Sequence, residues 1–94
     1  MFQSVLNKMR QRVRAGRMTL TIHAREEMYI DAVTTDDLEN GILHGGIVER
    51  QWDENWLEWK YVIAGETLDG RSVEIVAKLG HRDDTVIITV YTVF

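Results

Sequence analysis

The sequence has no cysteine and no proline in 94 residues. Without cysteine there can be no disulfide, no thiolate zinc site and no cysteine nucleophile. That absence suits a reducing compartment, and a cytoplasmic location is expected. Serine is nearly as scarce. Ser4 and Ser72 stand alone and neither sits on a nucleophile elbow, so no serine triad is expected. No apolar run approaches the roughly 20 residues that cross a bilayer. The basic residues near the start are not followed by an apolar segment, so neither a signal peptide nor membrane attachment is expected. The glycines of "NGILHGG" (40–46) have no Walker lysine and no strand before them. The three histidines, His23, His44 and His81, fall in three separate turns or element ends. No metal and no cofactor is therefore expected.

The remaining composition is that of an ordinary globular domain, with 45% apolar and 28% charged residues. Its length fits one domain over 1–94, a basic amphipathic helix (1–17) followed by a core (18–94). The net charge of -4 hides an asymmetry. Residues 1–17 hold Lys8, Arg10, Arg12, Arg14 and Arg17 and no acid. The other 77 residues hold six Lys/Arg against fifteen Asp/Glu. Such a basic segment could meet nucleic acid, an acidic partner or its own body.

Hydrophobic spacing divides the chain in two. Phe2, Val5, Leu6, Met9 and Val13 form one stripe of a helix over 2–15, stopped at Gly16. "MTLTI" (18–22) reads as a short strand or extended lead-in. A second helix starts at Thr21 or His23 and runs to about Ala32. A third is capped by Thr34 or Thr35 and ended by Gly41. From Gly45 the period changes to two. Strands are predicted over 46–52, 56–67, 71–79 and 85–94, with the Asp-Gly of "LDG" (68–70) as a hairpin turn. The last strand is apolar on both faces and should be a central or doubly covered strand. Helices followed by strands predict an α+β fold, with N-terminal helices packed on a four-stranded antiparallel meander.

Metal-free acid–base chemistry on RNA needs a base, an acid and positive charge near the phosphorane. Strand parity allows Lys60, Lys78 and Tyr91 to share one sheet face, with His23, Arg25, Arg71, Arg82 and His81 as further candidates. Lys and Arg are also what any exposed sheet face carries, and a histidine at a helix start is often a structural cap. Trp52, Trp56 and Trp59 cluster around one turn. Trp59 is expected in the core, and Trp52 and Trp56 as partner anchors or as packing at the core's edge.

The segments "TIHAREEM", "TTDDLENGI", "YVIAGETLDGRSVEIVAK" and "VIITVY" occur in that order over roughly 19–93. Together they resemble a family of small bacterial domains of unknown function related to the BrnT, RelE and MqsR toxins. Its pattern is an early His-Ala, a G-x-T-x-D-G-R hairpin and a closing I-T-V-Y strand. His23-Ala24, Gly65-x-Thr67-x-Asp69-Gly70-Arg71 and Thr89-Val90-Tyr91 match it. The resemblance implies a RelE-like fold and a metal-independent endoribonuclease toxin paired with an antitoxin. The family's Arg before Met is Glu27 here, and its later Arg-Gly is Asp31-Ala32.

Two functional readings follow. In the first, the chain is a toxin-type domain acting on mRNA. His23 supplies acid–base chemistry or a substrate contact, Lys60 and Arg71 phosphate charge, and Tyr91 orientation or base stacking. Arg25, Lys78 and Arg82 bind substrate. In the second, the chain is a non-enzymatic interaction module of the same fold. Trp52, Trp56, Arg10 and Arg14 then meet a partner or a second copy in a homodimer.

Overall fold

The structure, a computed structural model, describes residues 2–93. Three helices come first, with one short strand among them: α1 (Gln3–Arg14), β1 (Met18–Leu20), α2 (Ile22–Asp31) and α3 (Thr35–His44). Four strands follow: β2 (Gly46–Asp53), β3 (Glu58–Glu66), β4 (Ser72–Leu79) and β5 (Thr85–Thr92). They form one sheet in the order β1-β5-β4-β3-β2.

This corrects the expected four-stranded antiparallel meander. The meander β2–β5 is present, but β1 joins it as a fifth strand, parallel to β5, with Met18 opposite Thr85 and Leu20 opposite Ile87. The sheet is therefore mixed. Three residues are too few to display a period, and the partner strand lies far along the chain. β5 takes its interior position because β1 covers the edge that β4 leaves open.

The helix starts follow local chemistry. The Thr21 hydroxyl accepts the Ala24 N–H at 3.1 Å and caps α2. Thr34 and Asp37 form a reciprocal capping box on α3. Gly41 does not end α3, which continues to His44. Its role is close packing. A Cβ on Gly41 would lie 2.9 Å from Ile75 Cδ1, and a Cβ on Gly65 of β3 would lie 2.7 Å from the Gly41 oxygen. Two glycines thus let helix and strand backbones touch.

Alternation along the strands, with a bulge in β5 between Ile87 and Thr89, sends Tyr61, Ile63, Val73, Ile75, Ala77, Ile87 and Val90 to the helix side. There they meet Leu6, Met9 and Val13 of α1, Ala24 and Met28 of α2, and Leu38 and Ile42 of α3. The stripe of α1 is therefore buried in the chain's own core. Most of its arginines also bond inward. Arg10 donates to the carbonyls of Ile42 at 2.9 Å and Gly45 at 2.7 Å. Arg12 donates to the Asp84 carbonyl at 2.8 Å, and both Arg12 and Arg17 pair with Asp83. Contact with its own body is thus seen for Arg10, Arg12 and Arg17 of the basic segment.

Candidate functional site

The sheet face turned away from the helices is the natural place to look. Val62 and Val76 pair across β3 and β4, are 2% and 7% exposed, and lie outside the helix-side cluster. They form an apolar floor. Glu49 stands beside Val62 and Thr89 beside Val76. On one side of this row Glu74 stands between Ala64 and Tyr91. On the other Lys60 stands opposite Gln51, and Lys78 opposite Val86.

The cations of this face are partly neutralised. Lys78 Nζ lies 2.5 Å from a Glu58 carboxylate oxygen and 5.6 Å from the Trp56 ring centre. His81 Nε2 lies 3.9 Å from the other Glu58 oxygen. Lys60 is half-buried at the same end.

His23 and Tyr91 sit at the opposite end, where α2 runs along β5. β1 stops at Leu20, so the outer edge of β5 beyond Ile87 has no strand to bond. α2 supplies substitutes. The Thr21 hydroxyl donates to the Ile88 carbonyl at 3.1 Å, and Glu27 Oε1 accepts the Val90 N–H at 3.0 Å. The same Glu27 oxygen lies 3.2 Å from His23 Nε2, one helical turn earlier. An arginine at this position would have no acceptor for that amide. His23 is exposed, and a carboxylate orients its ring.

Tyr91 donates its hydroxyl proton to Glu74 at 2.5 Å. That bond, with the charges of Glu74, Glu49 and Glu27, pushes its pKa up to about 12. Tyr91 is therefore a neutral hydrogen-bond donor at physiological pH and not a base. Folding raises this pKa, so its contribution to stability is complete below the ordinary value of 10.0 and is lost as pH rises through about 12. Glu74→Gln should bring the tyrosine titration back toward the ordinary value. A spectroscopic pH titration of both proteins checks this, and identical curves would contradict the geometry.

Arg71 lies elsewhere. Its guanidinium donates to the carbonyls of Asp31 at 2.6 Å and Ala32 at 2.8 Å, at the end of α2, and pairs with Asp69 at 3.1 Å. The whole G-x-T-x-D-G-R motif reads as one structural device. Gly65 admits the α3 backbone. Thr67, 2% exposed, donates to Asp69 and accepts the Arg71 N–H at 2.9 Å. These contacts of the Thr67 hydroxyl, then of Arg71, hold the Asp69 carboxyl below its usual range. Gly70 takes a left-handed φ of 85°. Arg71 then fastens the turn to Ala32, itself left-handed at φ 52°. Arg71→Ala should cost about 2 kcal/mol through the two carbonyl bonds, the exposed Asp69 pair adding little. Arg71→Lys should restore only part, because an ammonium cannot span two carbonyls as a fork does. Chemical denaturation of both variants measures it.

The remaining candidates are scattered. Arg25 is exposed on the outer side of α2, Arg82 in the β4–β5 turn and Arg14 on α1. Trp52 and Trp59 stack edge-to-face at 5.0 Å, with the Arg50 guanidinium 3.8 Å above Trp59. Trp59, expected in the core, is 40% exposed. It lies one step past Tyr61, where Phe2 already closes the helix side with its ring 5.7 Å from Tyr61. Trp56 and Leu57 are each 73% exposed in the β2–β3 turn. His23 reaches, through Glu27, the amide of Val90, the residue before Tyr91. Lys60 and Lys78 form a second group across the valine floor, and Arg71 belongs to neither. The sequence reading missed the acids Glu27, Glu58 and Glu74. Glu27 was open to detection, because it stands at i+4 from His23 on a helix.

A pocket of about 560 Å³ opens between the end of α3 and the adjoining ends of β3 and β4, with His44, Glu66, Ser72 and Glu74 on its wall. No helix among the described residues is long and apolar enough to cross a membrane.

Residues 20–92 match the model of a family described as Domain of unknown function (DUF4258). No curated protein and no solved structure matches the chain.

Proposed function

The chain belongs to the DUF4258 family, and on that premise we propose that it acts by binding a partner protein, through the aromatic end of the β2–β3 hairpin. The observation that carries this reading is a contrast. Four of the groups proposed for RNA chemistry are engaged inside the molecule: Arg71 on carbonyls, Lys78 on Glu58, Tyr91 on Glu74 and His23 on Glu27. Large apolar side chains at the hairpin end are left in water. Trp56 and Leu57 are 73% exposed, Trp52 46% and Trp59 40%. Exposed aromatic groups of this size mark interaction surfaces. Leu57 also holds a left-handed φ of 52° at the tip of the hairpin, a conformation uncommon for a residue with a side chain. An antitoxin-type protein is the partner that the toxin resemblance suggests.

One observation favours the RNA-directed toxin reading as a second. His23 is a solvent-exposed imidazole oriented by Glu27 beside an uncovered sheet face, an arrangement suited to acid–base catalysis. In that reading Lys60 and Arg71 supply phosphate charge, and Arg25, Lys78 and Arg82 bind substrate. Against it stand Glu27, Glu49 and Glu74, whose charges all reach Tyr91 and would repel a polyanion.

Induced expression separates the two. With partner binding, growth and total RNA stay intact, and Trp56→Ser with Trp52→Ser abolishes capture of a partner that Lys60→Ala still captures. Growth arrest with broken RNA, lost in a folded His23→Ala, overturns the proposal in favour of the toxin reading.

A further inference from the structure

The two edges of the sheet are finished differently. At one edge β1 has three residues, and beyond it α2 brings the Thr21 hydroxyl and the Glu27 carboxylate to the backbone of β5. At the other edge β2 runs for eight residues and pairs with β3 alone. Among the described residues its outward N–H and C=O groups have no partner in any helix, loop or strand. Open edges are usually blunted by lysine, proline, shortness or a bulge. β2 has neither lysine nor proline. Its bulge lies between Ile47 and Glu49 and leaves 49–53 in unbroken register. Along that stretch Glu49, Gln51 and Asp53 lie on the open face, beside Val62, Lys60 and Glu58. Arg50 and Trp52 lie on the helix side, beside Tyr61 and Trp59. Neither Glu49 nor Asp53 forms an ion pair among the described residues. Arg50 is already stacked on Trp59.

We propose that the free edge of β2 at 49–53 takes up an extended segment of the partner protein as a further antiparallel strand, with cationic side chains on the open face and apolar ones on the helix side. The backbone selects a strand as occupant, because a strand offers the matching row of donors and acceptors. Antiparallel pairing is the more stable arrangement per residue. Charge selects the composition. Side chains directly opposite across such a pair lie about 5 Å apart. Those set against Glu49 and Asp53 are therefore lysine or arginine, and those beside Trp52 are apolar. A second copy of β2 does not meet this demand. Two copies pairing antiparallel share a two-fold axis normal to the sheet, which sets the central residue against itself. Centred on Glu49 the pairing opposes two carboxylates, and centred on Arg50 two guanidinium groups. Centred on Gln51 it sets Glu49 against Asp53 twice. Like charges directly opposite are destabilising. The inference rests on the partner-binding reading of the hairpin and adds the kind of segment that is bound.

A peptide alternating lysine and valine, added to the full chain, tests this. NMR should show binding, with amide exchange slowed at alternate residues of 49–53. Replacing the lysines by glutamate should weaken binding about tenfold or more, and Glu49→Lys/Asp53→Lys should reverse the preference. Asp53 also accepts the Asn55 N–H in the turn, so Glu49→Lys alone is the second variant, expected to move the preference the same way by less. Circular dichroism checks that both fold. Alternate residues of a strand turn their side chains to opposite faces and their N–H groups to opposite edges. Methylating the amide nitrogens of the lysines blocks one edge of the peptide, and methylating those of the valines blocks the other. One of these two peptides should lose binding and the other keep it. Loss in both or in neither overturns the proposal, as does an absence of binding at millimolar concentration. So does an edge already protected in the free chain where it sediments as a dimer, which would give the edge to a second copy. Trp56 lies outside β2, so Trp56→Ser should leave peptide binding unchanged. If it abolishes binding, the hairpin tip is the site, and this inference falls while the hairpin reading stands. Edge binding of the peptide together with growth arrest and broken RNA on expression keeps the edge and removes the hairpin reading.

Discussion

Gly65→Ala should lower the stability of the fold by about 3 kcal/mol, the upper range for overpacking. The added carbon would lie 2.7 Å from the Gly41 oxygen and 2.8 Å from its Cα. Both are backbone atoms of α3, so relief requires the helix to move off the sheet. That motion would disturb Leu38 and Ile42, both fully buried. Gly41→Ala is the control. Its Cβ would meet Ile75 Cδ1 at 2.9 Å, the free end of a side chain that can rotate. Alanine inside a helix also regains up to about 1 kcal/mol relative to glycine. Gly65→Ala should therefore be far the worse of the two. For a domain of this size the difference is a shift in melting temperature of roughly 10 °C or more. Equal melting temperatures would show that the helix–strand contact is looser than the geometry describes.

Asp37→Ala should cost about 2–3 kcal/mol, by loss of two charge-assisted bonds. The carboxylate of Asp37 accepts the Thr34 N–H at 2.8 Å, closing the cap of α3. It also accepts the Leu68 N–H at 2.8 Å, fixing the β3–β4 turn against that helix. The side chain is only 6% exposed, so water cannot readily replace it. The backbone bonds from Thr34 and then Leu68 hold this carboxyl below its ordinary value of 3.8. The folded state thus favours the charged form. The contribution is present above pH 3.8 and is lost as pH falls through the lower folded value. Asp37→Asn keeps one acceptor and should lose less than Asp37→Ala. Its deficit against wild type should shrink in acid, as the wild-type carboxyl takes up its proton. Denaturant unfolding at neutral and at acid pH measures both, and a deficit independent of pH would remove the carboxylate from this role.

Much of the architecture was legible in the chain. The Leu6, Met9, Val13 stripe, the threonine caps and the Asp-Gly hairpin act over a few residues, and local rules read them correctly. The strands of the meander were placed within about two residues, because period-two alternation is a local signal as well. Gly41 was misread as a helix stop. The sequence shows a glycine, but the need for one comes from Gly65, whose backbone lies against it only in the fold. Trp59 was misplaced for a similar reason, since the extent of helix cover above a strand is not written in that strand.

The candidate site was less legible. Strand parity put Lys60, Lys78 and Tyr91 on one face. It did not tell which end of the sheet each would occupy, or that Glu58 and Glu74 would take up Lys78 and Tyr91. The hairpin motif that carries the family resemblance was legible as a pattern, and its meaning was not. Arg71 reaches back to the carbonyls of Asp31 and Ala32 across some forty positions of sequence. What the sequence determined by itself is the set of elements, their caps and their alternating faces, because these rest on contacts between near neighbours. What only the tertiary structure decided is the fifth strand, the glycine contact between α3 and β3, and the distant partners of Arg10, Arg12, Arg71 and Lys78. Those depend on which distant segments are brought side by side, and no local periodicity records it.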